Sequence, residues 1–161
     1  MFLGHYAIAF AVKKTAPQTS LATLFASVQL ADHLWPILLL FGLEQANIEP
    51  GNTVVTPLNF INYPYSHSLV ALSIYSVVLA TIYFGVSNYR RGAVMVAVAI
   101  LSHWILDVVT HRPDMPLGFN DMKIGLGLWN SLEATIVVEG ILFGAGIVMY
   151  IRATKARNWK G

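Results

Sequence analysis

The chain has 161 residues, of which 56% are hydrophobic and 11% charged, with a net charge of +2, five histidines and no cysteine. Soluble proteins carry about a quarter charged residues, and a core of this length could not hide so much apolar surface, so lipid is the expected solvent. The composition excludes disulfides and thiolate metal sites, and without a basic stripe it leaves nucleic acid no footprint. A metal would have to use His and carboxylate ligands, which suit Zn, Mn, Fe or Ni.

In chain order, Phe2 to Val12 is apolar, too short to span, and carries His5. No basic residue precedes it and Lys13-Lys14 follow, the reverse of a secretory signal, so it is expected to be retained. A turn over Thr15 to Ser20 leads to a first crossing, Leu21 to Leu43, with Ser20 as N-cap and Gln29, Asp32, His33 and Pro36 inside it. A polar loop, Glu44 to Ser66, contains Pro50, Pro57 and Pro64. The second crossing is His67 to Val86, the third Gly92 to Thr110. A loop broken by Pro113, Pro116 and several glycines runs from His111 to Leu128, and Trp129 to Ile151 is the fourth crossing. The expected architecture is an all-α integral membrane protein, a single transmembrane domain over residues 1–161, with four crossings and a short half-spanning helix at the amino terminus.

Lys13-Lys14, Arg90-Arg91 and a tail with Arg152, Lys155, Arg157 and Lys160 fall on one side of such a bundle. The positive-inside rule then places both termini in the cytoplasm and the Pro-rich loops outside. Trp35, Trp129 and Trp159 read as interface anchors rather than cofactor stackers.

The third crossing ends in Ser102-His103-Trp104-Ile105-Leu106-Asp107-Val108-Val109-Thr110-His111. Residues at i and i+4 share a helical face, so His103, Asp107 and His111 are expected to point one way. Ionisable groups inside a membrane-length segment are expensive and usually functional. At 1.5 Å per residue Asp32 lies about 18 Å above Ser20, His103 about 18 Å above Arg91, and Glu139 about 20 Å above Arg152. Asp107 follows at about 24 Å and His5 at about 12 Å, all within a hydrocarbon layer of about 30 Å. His67 can lean inward from the outer end of its helix. Groups that share a depth in a helical bundle converge as carboxylate–His metal centres do. A lone intramembrane His often only bonds a neighbouring helix, and that is the reading for His33. Glu139 continues a polar face with Ser131 and Thr135 and is expected to look inward, with Glu133 off that face and solvated.

At these residues the chain resembles a known family. Gly4-His5-Tyr6-Ala7, Leu30-Ala31-Asp32-His33-Leu34-Trp35-Pro36, Tyr65-Ser66-His67-Ser68-Leu69 and Leu101-Ser102-His103 to Thr110 occur in the order of the YdjM-like membrane-bound metal-dependent hydrolases. Some of these are described as LexA-binding inner-membrane proteins. The family shows a His near its amino terminus, then P-D-x-D-H-P, H-R-G-x-T-H-S and S-H-x-x-x-D-x-x-T blocks. The resemblance covers roughly residues 4–118 and implies His5, Asp32, His67, His103 and Asp107 as metal ligands in an inner-membrane protein. The second Asp and the His of the first block are Leu34 and Trp35 here, and the first His of the next block falls at Asn62, which favours one metal over two.

The expected function is therefore an integral-membrane hydrolase with one divalent metal, zinc first, held by three or four of those five residues. Asp32 or Glu139 would take a proton from the attacking water. His111, Arg112 and Asn130 would hold an anionic head group, which makes a lipid-linked phosphoester the first expected substrate and an ester or amide the second. Two other classes stay open. One is a small oligomeric transporter or proton or cation relay using the same groups. The other is a structural membrane partner with a degenerate site, packing through Gly140, Gly144 and Gly146.

Overall fold

The structure is a computed structural model that describes residues 1–120 and 122–154. Lys155, Arg157, Trp159 and Lys160, given parts in orientation and anchoring above, lie outside the described residues. The chain forms α1 (Leu3–Val12), α2 (Leu21–Val28), α3 (Leu30–Leu40), β1 (Gln45–Ile48), β2 (Leu58–Asn62), α4 (Pro64–His67), α5 (Leu69–Ser87), α6 (Arg90–Thr110), β3 (Met115–Pro116), β4 (Lys123–Ile124), a 3₁₀ turn (Leu128–Asn130) and α7 (Leu132–Ala153). Three of these, α5, α6 and α7, are long and apolar enough to cross a membrane, and α2 with α3 forms a bent fourth segment.

Serine caps set three of the starts. Ser20 Oγ accepts from Thr23 N at 3.0 Å, Ser68 Oγ from Ala71 N at 3.0 Å and Ser131 Oγ from Ala134 N at 3.2 Å, each satisfying an amide that the first helical turn leaves free. These caps correct two expected boundaries. His67 closes the single turn α4 and α5 begins after it, and Trp129 belongs to the 3₁₀ turn that precedes α7.

The crossing expected from Leu21 to Leu43 is bent by 52° between α2 and α3. Pro36 is the obvious breaker, yet the break falls earlier, at Gln29. The physical reason is a side chain inserted into the helical ladder: the Val28 carbonyl accepts from His103 Nδ1 at 2.6 Å. The bent pair still joins the two ends of the bundle. Its start lies by α5, where Tyr83 Oη donates to Thr19 Oγ1 at 3.0 Å, and just past its end Glu44 meets Ser66 of α4. Thr15 lies in a groove with Arg90 and Arg91, and Phe10 of α1 packs on Tyr150 close to Arg152. The basic clusters that are described thus gather at one end.

The all-α expectation needs a second correction. The two connecting loops at the opposite end carry short antiparallel ladders, β1 with β2 and β3 with β4. Both lie in the Pro- and Gly-rich stretches, where helices cannot propagate.

α1 is ten residues long, about 15 Å, and so begins midway through the bundle. Free amides at such a depth are costly in lipid. Glu139 of α7 supplies their acceptors: Oε1 takes Phe2 N at 3.1 Å, and Oε2 takes Leu3 N at 2.6 Å and Gly4 N at 3.4 Å. The carboxylate also suits the positive end of the helix dipole. Glu139 looks inward as expected, but it holds α1 in place and has no free oxygen to act as a base. Farther along the pair the backbones nearly touch, and a Cβ on Gly146 would lie 2.6 Å from Ala7 O.

Gly146→Leu is therefore expected to lower the thermal unfolding temperature in detergent, by a loss of about 1–3 kcal/mol typical of overpacking. Gly140→Leu on the same helix, with nothing within 4 Å of the new Cβ, is expected to leave it within error. Equal shifts for the two would contradict the α1–α7 packing.

Candidate metal centre

Four elements bring the five expected ligands together. α1 supplies His5, the first turn of α3 Asp32, the last residue of α4 His67, and one face of α6 His103 and Asp107. They form two overlapping groups whose ligand atoms all lie within 4.8 Å of one another: His5, His103 and Asp107, and Asp32, His67 and His103. His5, His67, His103 and Asp107 are 1%, 3%, 1% and 2% exposed. The Asp32 side chain is 43% exposed and faces a cavity.

The hydrogen bonds fix which ring nitrogen is free. His103 Nδ1–H is given to the Val28 carbonyl, so in the neutral ring Nε2 carries the lone pair. Glu44 accepts from Ser66 N at 2.8 Å and from Ser66 Oγ at 2.6 Å, and Ser66 Oγ lies 2.7 Å from His67 Nδ1. With its own proton on Glu44, the Ser66 hydroxyl accepts from His67 Nδ1–H, and His67 Nε2 also carries a lone pair. Such outer partners are how metal-binding histidines are aimed.

Both Nε2 atoms lie close to carboxylate oxygens. His67 Nε2 is 3.4 Å from Asp32 Oδ1 and 3.9 Å from Asp107 Oδ2. His103 Nε2 is 3.7 Å from Asp32 Oδ1 and 3.0 Å from Asp107 Oδ2, yet it has no hydrogen-bond partner. Acceptor thus faces acceptor in a buried place. The Met1 ammonium compensates Asp107 at Oδ1, but Oδ2 faces His67 and His103 with no hydrogen bond to either ring. A divalent cation placed between them would satisfy these atoms together. Tetrahedral bonds of about 2.0–2.2 Å put ligand atoms about 3.3–3.6 Å apart, and the four spacings bracket that range. The donor set of imidazole and carboxylate fits zinc. These residues can hold a metal ion.

His5 stands differently. Its Nε2 donates to Asp107 Oδ1 at 3.0 Å, and its ring stacks on His103 with centroids 3.9 Å apart. The Met1 nitrogen also contacts Asp107 Oδ1. Together they fill one oxygen of Asp107 and turn the other toward His67 and His103.

Above the centre lies a cavity of about 300 Å³ whose lining includes Asp32, His67 and Asp107 at the polar end, Trp35 and Pro36 of α3, Leu58 and Phe60 of β2, and Trp129. A larger apolar groove lies on the outer helix faces between α5 and α6, but among the described residues the converging His and Asp groups line this cavity. Trp129, expected as an interface anchor, is buried between Phe2 and His111, with centroids at 5.6 and 4.4 Å. Trp35 likewise packs on Phe60, with centroids 5.3 Å apart.

The residues expected to bind substrate fare unevenly. α6 ends at Thr110, so His111 leaves the face shared by His103 and Asp107. It still lines the cavity, with Nδ1 2.9 Å from Asp114 Oδ1. Arg112 Nε donates to Asp114 Oδ2 at 3.2 Å and its terminal nitrogen pairs with Asn59. Asn130 is exposed and outside the cavity lining. Tyr63 donates to Asp114 at 3.1 Å, and burial followed by the Asp114 charge pushes its phenol well above the usual value, so it remains a donor. His33 is exposed, away from the centre, and Glu133 is exposed as expected.

Glu44, Ser66, Tyr63 and Asp114 were not singled out from the sequence. The one available signal was the hydroxyl residue beside His67, at a position where the resembled block has Thr. Glu44 carries no local mark, because its role exists only once the loop folds back on α4.

Fold and site together define a class: a helical bundle with membrane-length helices around a buried His/Asp cluster able to bind a metal. No family model, curated protein or solved structure matches the chain.

Ser66→Ala and Glu44→Gln are each expected to weaken zinc binding about 10–100-fold, as loss of an outer partner does elsewhere, in a competition titration with a chromogenic chelator. An unchanged affinity in both would show that His67 is aimed by other means.

Proposed function

We propose that the chain is an integral-membrane, metal-dependent hydrolase. The observation that carries the reading is the meeting of two imidazole lone pairs with two carboxylates beneath a cavity. His67, His103 and Asp107, all buried, are the ligands, a two-His-one-carboxylate set like that of known catalytic zinc sites. A divalent metal held there, zinc by preference, would supply Lewis acidity and lower the pKa of a bound water toward neutrality. Asp32 is the base: both carboxylates line the cavity, but the Asp32 side chain is 43% exposed where Asp107 is buried, and it lies within reach of both imidazoles. His5 orients Asp107, and Glu44 orients His67 through Ser66.

The resemblance of the four sequence blocks to the YdjM-like hydrolases supports the same assignment. With the basic clusters in the cytoplasm, the cavity and its hairpin roof lie toward the outer face of an inner membrane. A proton or cation relay is less well supported, because the Asp107 and Val28 contacts lock His5 and His103 instead of leaving a chain of exchangeable donors.

Metal analysis after gentle purification, alongside two variants, tests the reading. Asp107→Asn is expected to lose the metal, whereas Asp32→Asn is expected to keep it and lose at least about 100-fold in turnover, the usual range for a general base. Metal retained in Asp107→Asn, or full turnover in Asp32→Asn, would contradict the assigned roles.

A further inference from the structure

Charge is spread unevenly along this fold. No Asp or Glu occurs in residues 1–31, 50–106 or 140–161. The acidic residues belong to the metal centre, to the two connecting loops and to α7, where they are Glu133 and Glu139. The end of the bundle that gathers Lys13, Lys14, Arg90, Arg91 and Arg152 therefore has no carboxylate on its own stretches of chain. Lys13 Nζ donates to the Pro17 and Thr19 carbonyls. Arg90 and Arg91 are exposed and, among the described residues, form no ion pair. Adjacent guanidinium groups without a carboxylate suit a phosphate, which their planar forks can hold bidentately.

An apolar channel starts at the same arginines. On α6 it follows Arg90, Ala93, Val94, Ala97, Val98 and Leu101, a spacing of three and four that keeps to one helical face. Val77, Ala80 and Phe84 of α5 make the facing wall, and the small alanines leave a groove of about 510 Å³ between the two helices. Val77, Val94 and Val98 are exposed, so the groove opens away from the bundle. From Arg90 to Leu101 the helix rises about 16 Å, close to half of a hydrocarbon layer of about 30 Å. The channel thus has a charged mouth and the depth of one leaflet. A shorter groove shares Arg90 and Val94 with it and adds Arg91 and Thr15 at the mouth. By contrast, a groove of about 430 Å³ along Leu79, Ile82 and Val86 of α5 carries no charged side chain.

We propose, resting on the membrane-spanning part of the reading above and not on its hydrolase chemistry, that the α5–α6 groove binds an anionic phospholipid of the cytoplasmic leaflet. One acyl chain lies along the alanine floor as far as Leu101, and the phosphate sits at Arg90 and Arg91. Basic pockets between helices on this side of a membrane take acidic head groups in this way. A choline head group brings its own cation to the arginines, so phosphatidylcholine is the poorer ligand.

The test titrates the full chain in detergent with dioleoyl phosphatidylglycerol, dioleoyl phosphatidylcholine or glycerol phosphate, and counts bound molecules by native mass spectrometry. Wild type is expected to take its first phosphatidylglycerol at least about fivefold more tightly than its first phosphatidylcholine, the scale of one basic residue at an anionic surface. Glycerol phosphate, which has the charge without the chains, is expected not to bind. Arg90→Gln with Arg91→Gln should erase the preference. Arg152→Gln, which removes a cation of the same end outside the groove, should keep it. Ala97→Phe fills the channel with both arginines in place and should weaken phosphatidylglycerol binding. Equal binding of the two lipids by wild type, or a preference that survives loss of both arginines, would overturn the proposal. So would an equal loss in Arg152→Gln, full affinity in Ala97→Phe, or glycerol phosphate binding as well as the lipid. Both arginines are on the surface, so their variant decides the matter even if Ala97→Phe unfolds the chain. A chain soluble without detergent would overturn the membrane reading and this site with it. A chain without zinc or turnover that keeps the lipid preference would overturn the hydrolase reading alone.

Discussion

Two imidazole lone pairs and two carboxylates occupy one buried place, and most of the irregular features of this fold serve to keep them there. Left to itself the arrangement is repulsive, because every facing atom is an acceptor. A helix bundle tolerates such a point only if a cation joins it or the side chains rotate away. Rotation of three of the four is restrained. The Val28 carbonyl holds His103, the Glu44–Ser66 pair holds His67, and His5 holds Asp107.

Each of those restraints has a cost in regular structure. The bond to Val28 replaces a rung of the helical ladder, and the first crossing bends there. His67 sits in a single helical turn ahead of α5, set off from it by the Ser68 cap, which lets the side chain be aimed independently of the long helix. α1 starts in the middle of the bundle to deliver His5, and this is feasible because Glu139 satisfies the amides that such a start exposes. Close backbone approach at Gly146 then fastens α1 to α7. Local regularity is given up where it positions a ligand and kept elsewhere.

The long apolar segments were legible in the sequence because lipid imposes a length and a composition on whatever crosses it. Helical spacing placed His103 and Asp107 on one face, and depth counting brought Asp32 level with His103 and put His5 in the same hydrocarbon layer, so the cluster itself could be foreseen. Its electrostatics could not. Whether Glu139 acts as a base or as a helix cap depends on where α1 begins in space, and both roles ask for the same inward-facing carboxylate. The i+4 pattern included His111, but the helix ends at Thr110, a boundary set by the Pro- and Gly-rich loop beyond it. Arg112 has the charge of an anion receptor, but Asp114 and Asn59 occupy it, and neither contact is marked by local sequence. The bend at Gln29 was hidden for a similar reason, since its cause lies on a different helix.

The measurement closest to the central claim is X-ray absorption at the zinc edge on protein purified without chelators. The account predicts about one zinc per chain in a shell of nitrogen and oxygen only, at about 2.0–2.2 Å, with outer-shell scattering from two imidazole rings. A chain that binds no zinc, or one whose metal lacks imidazole scattering, would contradict it.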